Sequence, residues 1–156
     1  DLAEVLGEQP DWRIQHVGSG DGLPESLCSA IRRAEESTRD HTGLHVNLAV
    51  GYGGRSEITA AVRSIIEKHQ RDGGNLDSLA ERLTPYQIGE HLWTGGQPDP
   101  DLVIRTSGEQ RLGGFLLWQS AHSEFYFCEA YWPDFRKVDF LRALRAFGER
   151  HRRFGS

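Results

Sequence analysis

The 156-residue sequence predicts an α/β fold with a parallel β-sheet covered by helices. Two observations lead to this prediction. Short segments in which apolar residues alternate, as in strands, are followed by segments in which apolar residues have helical spacing. Strands that alternate with helices form right-handed βαβ units, and such units build parallel sheets. Because hydrophobic residues make up 37% of the chain, a folded core is expected. We therefore expect a single domain spanning residues 1–156.

The first half of the chain contains two predicted strands and two predicted helices. Residues 12–17 and 44–50 alternate as strands do, and glycine-rich turns follow both. One helix begins near Pro24, and a longer one runs from an N-cap at Ser56 to His69. The buried faces are expected to contain Leu27, Ile31 and Ala34 in the first helix, and Ile58, Ala61, Val62, Ile65 and Ile66 in the second.

The second half continues the alternation. A short helix is expected at 78–83, and Thr84 with Gln87 forms a capping box for another helix. Residues 101–105 and 124–128 have the pattern of strands. A polar loop with glycines at 106–114 and an ambiguous segment at 115–121 separate them. Asp139 is expected to cap a last helix, whose buried face is predicted to be Phe140, Leu141, Leu144 and Phe147.

Charge is distributed unevenly along the chain. Residues 136–156 carry seven Lys and Arg and two acidic residues, whereas the first 135 residues carry 11 and 21. A basic tail can bind nucleic acid, an anionic membrane or a phosphorylated substrate. The alternative is a solvated helix face, which the composition alone favours. A nucleic-acid module would need further basic and aromatic clusters on a strand face, and none appears. Cys28 and Cys128 form no metal or redox motif, which favours a reducing compartment such as the cytoplasm.

One arginine precedes the polar loop at 106–114 and another lies within it. Arg105 ends a predicted strand and Arg111 follows six residues later, so both could bind one phosphate group through their guanidinium forks. The alternative is that either arginine forms a structural ion pair with Glu109 or a neighbouring aspartate, and the residues alone leave both interpretations open. Glu124 is either a hydrogen-bonded structural acid, which is favoured, or a Mg²⁺ ligand.

A resemblance favours the anion-binding interpretation. Residues 99–119, with the sequence DPDLVIRTSGEQRLGGFLLWQ, closely resemble the signature of the cis-prenyltransferases, the undecaprenyl and (Z)-farnesyl diphosphate synthases. Residues 124–127, 132–135 and 152–155 continue the match, and residues 47–55 resemble the preceding strand and turn of that family. The likeness covers essentially the whole chain and is strongest to actinobacterial members. It implies an enzyme that condenses isopentenyl diphosphate with an allylic diphosphate to form a Z-prenyl diphosphate.

The resemblance also implies roles for individual residues. The implied ligands of isopentenyl diphosphate are Arg105, Arg111, Leu112 and Gly113. Glu124 is the implied ligand of Mg²⁺. Arg153 and Gly155 are implied to reach the diphosphate site of the partner subunit in a homodimer. The resemblance further implies a cytoplasmic enzyme without nucleic-acid partners, and it allows peripheral membrane association through the product.

The sequence departs from the family pattern in three places. Gly51 stands where many members have asparagine. Gly113 stands where the family has serine, so a Gly113→Ser change is expected to restore a hydroxyl donor and tighten substrate binding. The family's Asp-Gly-Asn-x-Arg loop, with its metal-binding aspartate, does not occur in the 156 residues. We therefore expect the C-terminal part of one cis-prenyltransferase domain, without the N-terminal portion of the fold and inactive by itself. The alternative is a non-catalytic subunit.

Overall fold

The computed structural model describes residues 11–150, and the chain divides into two compact units, residues 1–95 and 96–156. Each unit contains a pair of parallel strands with helices beside it. The predicted α/β class with parallel strand pairing is confirmed, although the four strands form two separate two-stranded sheets among the described residues. The expectation of one domain spanning 1–156 stays a prediction.

Residues 11–95 of the N-terminal unit contain two strands and four helices in the predicted order. The elements are β1 (Arg13–Val17), α1 (Glu25–Ser37), β2 (His45–Ala49), α2 (Gly54–Arg71), α3 (Leu76–Arg82) and α4 (Pro85–Glu90). Strands β1 and β2 pair in parallel, from Arg13 opposite His45 to Val17 opposite Ala49. The capping box of Thr84 and Gln87 is confirmed at the start of α4.

The start of α2 differs from the prediction. Gly53, in an extended conformation, is the N-cap, and Ser56 lies inside the helix. Gly51, just after β2, has a positive φ that redirects the chain, and the helix begins at Gly54, three residues earlier than a cap at Ser56 would allow. The buried face is as expected at Ala61 and Ile65, and it also contains the unpredicted carboxylate of Glu57.

The core of the N-terminal unit forms between α1 and the strand pair. Ile14, Ala30 and Ala34 are buried together, and Trp12, Val46 and Leu48 pack against them. Thr38, which is fully buried, joins the two layers: its hydroxyl accepts a hydrogen bond from the Ile14 N–H at 3.0 Å and donates to the Ala34 carbonyl at 2.8 Å. This side chain therefore connects the end of α1 to the first strand.

The C-terminal unit contains β3 (Leu102–Arg105), β4 (Glu124–Phe127) and α5 (Lys137–Gly148). Short 3₁₀ turns lie at Gln119–His122 and Trp132–Asp134. Strands β3 and β4 pair in parallel, with Leu102 opposite Glu124 and Arg105 opposite Phe127. Cys28 and Cys128 are both free thiols. No helix within residues 11–150 is long and apolar enough to cross a bilayer.

Helix α5 contradicts the predicted cap and buried face. Arg136 is the N-cap, and Asp139 lies three residues inside, where its carboxylate accepts from the Arg136 backbone and guanidinium at 3.1 Å. Arg142 donates to the same carboxylate at 3.2 Å. The inward side presents Asp139 and Ala143, whereas Phe140, Leu141 and Leu144 are exposed.

Replacement of Thr38 by valine is expected to destabilise the N-terminal unit. Valine has nearly the same shape, but it leaves the Ile14 N–H buried without an acceptor, which costs about 1–3 kcal/mol. Urea unfolding and amide exchange at Ile14 measure the effect. The matched control is Thr59→Val, because the exposed Thr59 hydroxyl donates only to Arg55 in its own helix. Equal losses in the two variants would contradict a special role for Thr38.

Acid is expected to destabilise the C-terminal unit through Asp139. The hydrogen bond from the Arg136 side chain lowers the pKa of the Asp139 carboxyl below its ordinary value of about 3.9. A carboxyl with a lowered folded-state pKa contributes stability above the unfolded-state value and loses it as the pH falls through the folded-state value. Below about pH 4, Asp139→Asn should therefore lose less stability than the unsubstituted protein, whereas the exposed control Glu129→Gln should follow the unsubstituted curve.

Candidate active site

Arg105 lies at the carboxyl end of β3, where the polar loop begins. Its backbone carbonyl accepts a hydrogen bond from the Cys128 N–H at 2.8 Å, which fixes this end of the strand. The residue is half-buried, and its Nε–H is buried without a hydrogen-bond partner among residues 11–150. A buried donor without a partner costs about 1–3 kcal/mol. A half-buried guanidinium with an unsatisfied donor is a candidate ligand for an anion in the loop, which favours the anion-binding interpretation.

The loop after Arg105 has an unusual backbone. Five of residues 106–116, all described by the structure, have positive φ angles from 45° to 85°. They are Ser107, Gly108, Gly113, Gly114 and Leu116. A left-handed conformation costs a non-glycine residue about 1–2 kcal/mol, so it persists only where the surroundings fix it. The Ser107 and Gly108 N–H groups donate to the carbonyls of Ala130 and Cys128 at 2.9 and 3.0 Å, which fixes the start of the loop.

Gly113 brings the end of the loop back to Arg105. A Cβ atom placed on Gly113 would lie 3.0 Å from Arg105 Nη1, so the guanidinium lies against the glycine backbone. Leu112 is half-buried, and its carbonyl accepts the Phe115 N–H at 3.2 Å in a tight turn. The structure therefore brings together two of the four residues implied to bind diphosphate, Arg105 and Gly113.

Arg111 has a different environment. Its side chain is 75% exposed, and its Nε donates to Glu109 Oε2 at 2.9 Å. This is the ion pair that the residues alone left open as an alternative. Exposed pairs contribute about 0–1 kcal/mol, so a multiply charged anion could displace Glu109 at little cost. The ion pair is therefore compatible with diphosphate binding by Arg111.

Glu124 lies at the opposite end of the strand pair from Arg105. It begins β4 opposite Leu102, so it is three residues, or about 10 Å, from the level of Arg105. Its carboxylate accepts a hydrogen bond from Arg150 Nη1 at 2.7 Å, and the same nitrogen donates to the Phe125 carbonyl at 2.9 Å. Within the C-terminal unit, Glu124 is thus ion-paired with Arg150 and lies away from Arg105.

The described residues fit a magnesium ion only in part. No group of three or more His, Cys, Asp or Glu side chains within residues 11–150 is arranged to hold a metal. Mg²⁺ usually keeps several waters and takes one or two carboxylates together with substrate phosphate oxygens. Glu124 could supply one such carboxylate, provided that substrate oxygens supply others.

Arg150 is the residue at this site that the sequence reasoning missed. The only available signal was the basic tail, which does not indicate which acid an arginine will pair with. Arg153 and Gly155, the residues implied to act across a homodimer, lie outside the described residues.

The glycine turn of the N-terminal unit is braced by a buried carboxylate. Glu57 is 1% exposed, accepts the Trp93 N–H at 3.0 Å and accepts the Tyr52 hydroxyl in a short hydrogen bond. The Tyr52 and Trp93 rings pack edge to face, with centroids 5.7 Å apart. A Cβ on Gly51 would lie 2.5 Å from the Ser19 carbonyl oxygen, so glycine fits this backbone where the family often has asparagine. The turn is therefore rigid and closely packed.

Comparison with protein families identifies one match over nearly the whole chain. Residues 2–155 match the undecaprenyl diphosphate synthase family of prenyltransferases. Isoprenyl transferase 1 of Streptomyces avermitilis is 58% identical over 155 residues, which are 99% of this chain and 60% of that protein. The (2Z,6E)-farnesyl diphosphate synthase of Mycolicibacterium smegmatis is 54% identical over 155 residues, or 59% of its length. The chain thus spans about 60% of the length of these curated relatives.

Solved structures of prenyl diphosphate synthases also match this chain. Lavandulyl diphosphate synthase from Lavandula x intermedia, in complex with dimethylallyl diphosphate, matches with a TM-score of 0.87 and 38% identity over 99% of this chain and 65% of that one. The probable undecaprenyl diphosphate synthase of Campylobacter jejuni matches with a TM-score of 0.80 and 30% identity over 99% of this chain and 70% of that one. The chain therefore belongs to the cis-prenyltransferase family, as the resemblance of residues 99–119 indicated.

Proposed function

We propose that the protein acts as a cis-prenyltransferase, which joins isopentenyl diphosphate to an allylic diphosphate and forms a Z double bond. The observation that carries the proposal is Arg105, whose buried Nε–H lacks a partner among the described residues and whose guanidinium lies against a fixed glycine turn. Family membership and the names of the relatives support the same reaction. Dimethylallyl diphosphate, which the lavender enzyme binds, belongs to the allylic class proposed here.

The polar loop is the proposed site for the diphosphate of isopentenyl diphosphate. Arg105 offers a guanidinium held in place by packing, and Arg111 offers an exposed one that exchanges Glu109 for the ligand. A guanidinium can bind phosphate oxygens two at a time. Backbone N–H groups of the Leu112–Gly113 turn can add donors without any conformational change. Together these groups would hold the substrate by its diphosphate.

The reaction develops charge that the site has to stabilise. The C–O bond of the allylic diphosphate opens, and its electron pair leaves with the diphosphate. The alkene of isopentenyl diphosphate attacks the allylic carbon, and a proton leaves from the carbon next to the new cation. Positive groups arranged before the reaction stabilise the charge that develops on the leaving diphosphate. When bound, Mg²⁺ supplies further charge stabilisation to that group.

The remaining assignments rest on the resemblance. Glu124 would supply a carboxylate for Mg²⁺ after leaving its ion pair with Arg150. Arg153 and Gly155 would act at the diphosphate site of a second copy in a homodimer. A cytoplasmic location, with peripheral membrane association through the product, belongs to the same proposal.

A non-catalytic subunit is the less favoured alternative. Close relatives are named as synthases and transferases, and the arginines of the polar loop are present in the chain.

Replacement of Arg105 or Arg111 by alanine is expected to raise the KM for isopentenyl diphosphate. Loss of a hydrogen bond to a charged group costs about 1.5–3 kcal/mol, which corresponds to about 10- to 150-fold. Steady-state assays of the intact enzyme, with radiolabelled isopentenyl diphosphate and farnesyl, geranyl or dimethylallyl diphosphate, measure the change, because the 156-residue chain is expected to be inactive by itself. The control is Arg71→Ala, an exposed arginine of the N-terminal unit, which should leave KM unchanged. Unaltered kinetics in both loop variants would contradict the proposal.

Glu124→Gln is expected to raise the Mg²⁺ concentration needed for half-maximal activity. The amide keeps the size of the side chain but removes the negative charge that a hard cation prefers. Titration of activity with Mg²⁺, together with direct metal binding by calorimetry in the presence of substrate, measures the effect. The control is Glu129→Gln, an exposed acid just beyond β4. Identical titrations for both variants would exclude Glu124 as a metal ligand.

A further inference from the structure

The N-terminal unit contains a cavity that the proposed reaction does not use. It lies among the C-terminal half of α2, the turn at residues 72–74, α3 and α4, and its volume is about 390 Å³. Pockets for small molecules in proteins have volumes of about 300–1,000 Å³. All the lining residues that the structure describes lie between positions 65 and 91, so the cavity is formed within one unit. It is therefore large enough to hold a small ligand.

Hydrogen bonds between the helices hold the walls of this cavity in place. His69 Nε2 donates to the Asn75 carbonyl at 3.0 Å and lies 2.8 Å from the Ser78 hydroxyl, which joins the end of α2 to the start of α3. The His91 Nδ1 atom and the Ser64 hydroxyl are hydrogen-bonded at 3.0 Å, which joins the end of α4 to α2. The cavity is therefore formed before any ligand binds, which reduces the entropic cost of binding.

The lining of the cavity carries more positive than negative charge. Lys68 on α2 and Arg82 on α3 both line it, and neither forms an ion pair with any other residue in the range 11–150. Asp72 is the single acid in the lining that this part of the chain provides. Gln87 uses its side-chain oxygen to accept the Thr84 N–H at 3.1 Å, which leaves its amide nitrogen as a further donor. Cations and donors from three helices indicate an anionic ligand.

The inner part of the cavity is apolar. Ile65 and Leu79 line it and are 6% and 8% exposed. A phosphate group is only a few times larger than a water molecule, which occupies about 30 Å³, so most of the volume would remain beside these two side chains. An uncharged, apolar body attached to the anion would fill that space and bury the apolar surface.

We propose that this cavity is a second ligand site, which binds a small organic phosphate. Its phosphate group contacts Lys68 and Arg82, and its apolar part packs against Ile65 and Leu79. A phosphate monoester is favoured over a carboxylate because it carries a charge of about −1.5 to −2 and three acceptor oxygens, which match two cations on different helices. This site is independent of the function proposed for the polar loop.

The first experiment locates the ligand by NMR, with phenyl phosphate as the probe because it joins one phosphate to one apolar ring. The Cε1–H resonances of His69 and His91 can be assigned in ¹H–¹³C spectra through their loss in His69→Gln and His91→Gln. We expect the probe to shift both resonances, because both imidazoles line the cavity, and to leave the resonance of the exposed His45 in place. Unshifted His69 and His91 resonances throughout the titration would overturn the proposal.

The second experiment measures the Kd of phenyl phosphate in charge variants. Lys68→Gln and Arg82→Gln should each weaken binding about tenfold, the size expected when one charge-assisted contact is lost. Both side chains are exposed, so neither change removes part of the core. The matched control is Arg71→Gln, because Arg71 is an exposed cation of α2 that does not line the cavity. The same Kd in all three variants would overturn the proposal.

Two comparisons test the ligand class and the location. Inorganic phosphate should bind more weakly than phenyl phosphate, because it leaves the surface of Ile65 and Leu79 uncovered, and equal affinities would contradict an organic ligand. Arg105→Ala should leave the shifts of His69 and His91 unchanged. If that variant abolishes them, the phosphate binds at the polar loop, and the cavity is not a second site. Loss of prenyl transfer in Arg105→Ala with the shifts retained would support both sites.

Discussion

The parallel pairing of β3 with β4 is the constraint on which the candidate active site depends. The register sets Arg105 opposite Phe127, and hydrogen bonding continues past the strands, because Ser107, Gly108 and Cys128 donate across the same pair of segments. These bonds fix the start of the polar loop. The left-handed residues that follow then return Gly113 to the guanidinium of Arg105. A site built in this way is rigid before any ligand arrives, which reduces the entropic cost of binding.

In the proposed function, the two arginines of the loop would bind the diphosphate in different ways. Arg105 is half-buried, and one of its donors is unsatisfied. Much of the free-energy cost of removing its guanidinium from water is therefore incurred during folding, before a ligand binds. Arg111 is exposed and paired with Glu109, a partner that a diphosphate can replace at a cost of about 0–1 kcal/mol. A fixed group provides precise placement, and an exposed group can follow the ligand as it enters. Glu124 belongs to a different part of the unit, three residues along the strands, where Arg150 neutralises it.

Much of the fold and the identity of the candidate site could be predicted from the sequence. The sequence pattern predicted the four strands that lie within residues 11–150, and the Thr84–Gln87 capping box was recognisable because both partners lie within one helical turn. The signature at 99–119 gave the family, which the comparisons confirmed. The buried face of α5 was predicted wrongly at Phe140, Leu141 and Leu144, since apolar spacing does not show that Asp139 and Ala143 are the residues that the fold buries. The roles of Arg105, Arg111 and Glu124 stay predictions.

The sequence by itself determined what depends on neighbouring residues: where strands and helices lie, which loops are polar, and which arginines flank a glycine turn. Tertiary structure alone decided which distant groups meet. Glu57 is buried because Trp93, 36 residues away, donates its N–H to it, and Thr38 is buried because it receives the N–H of Ile14. Likewise, the sequence did not show that Gly113 lies against the guanidinium of Arg105. Such contacts depend on how the backbone folds back on itself. A pattern of neighbouring residues does not give the distance between residues that are far apart in the chain.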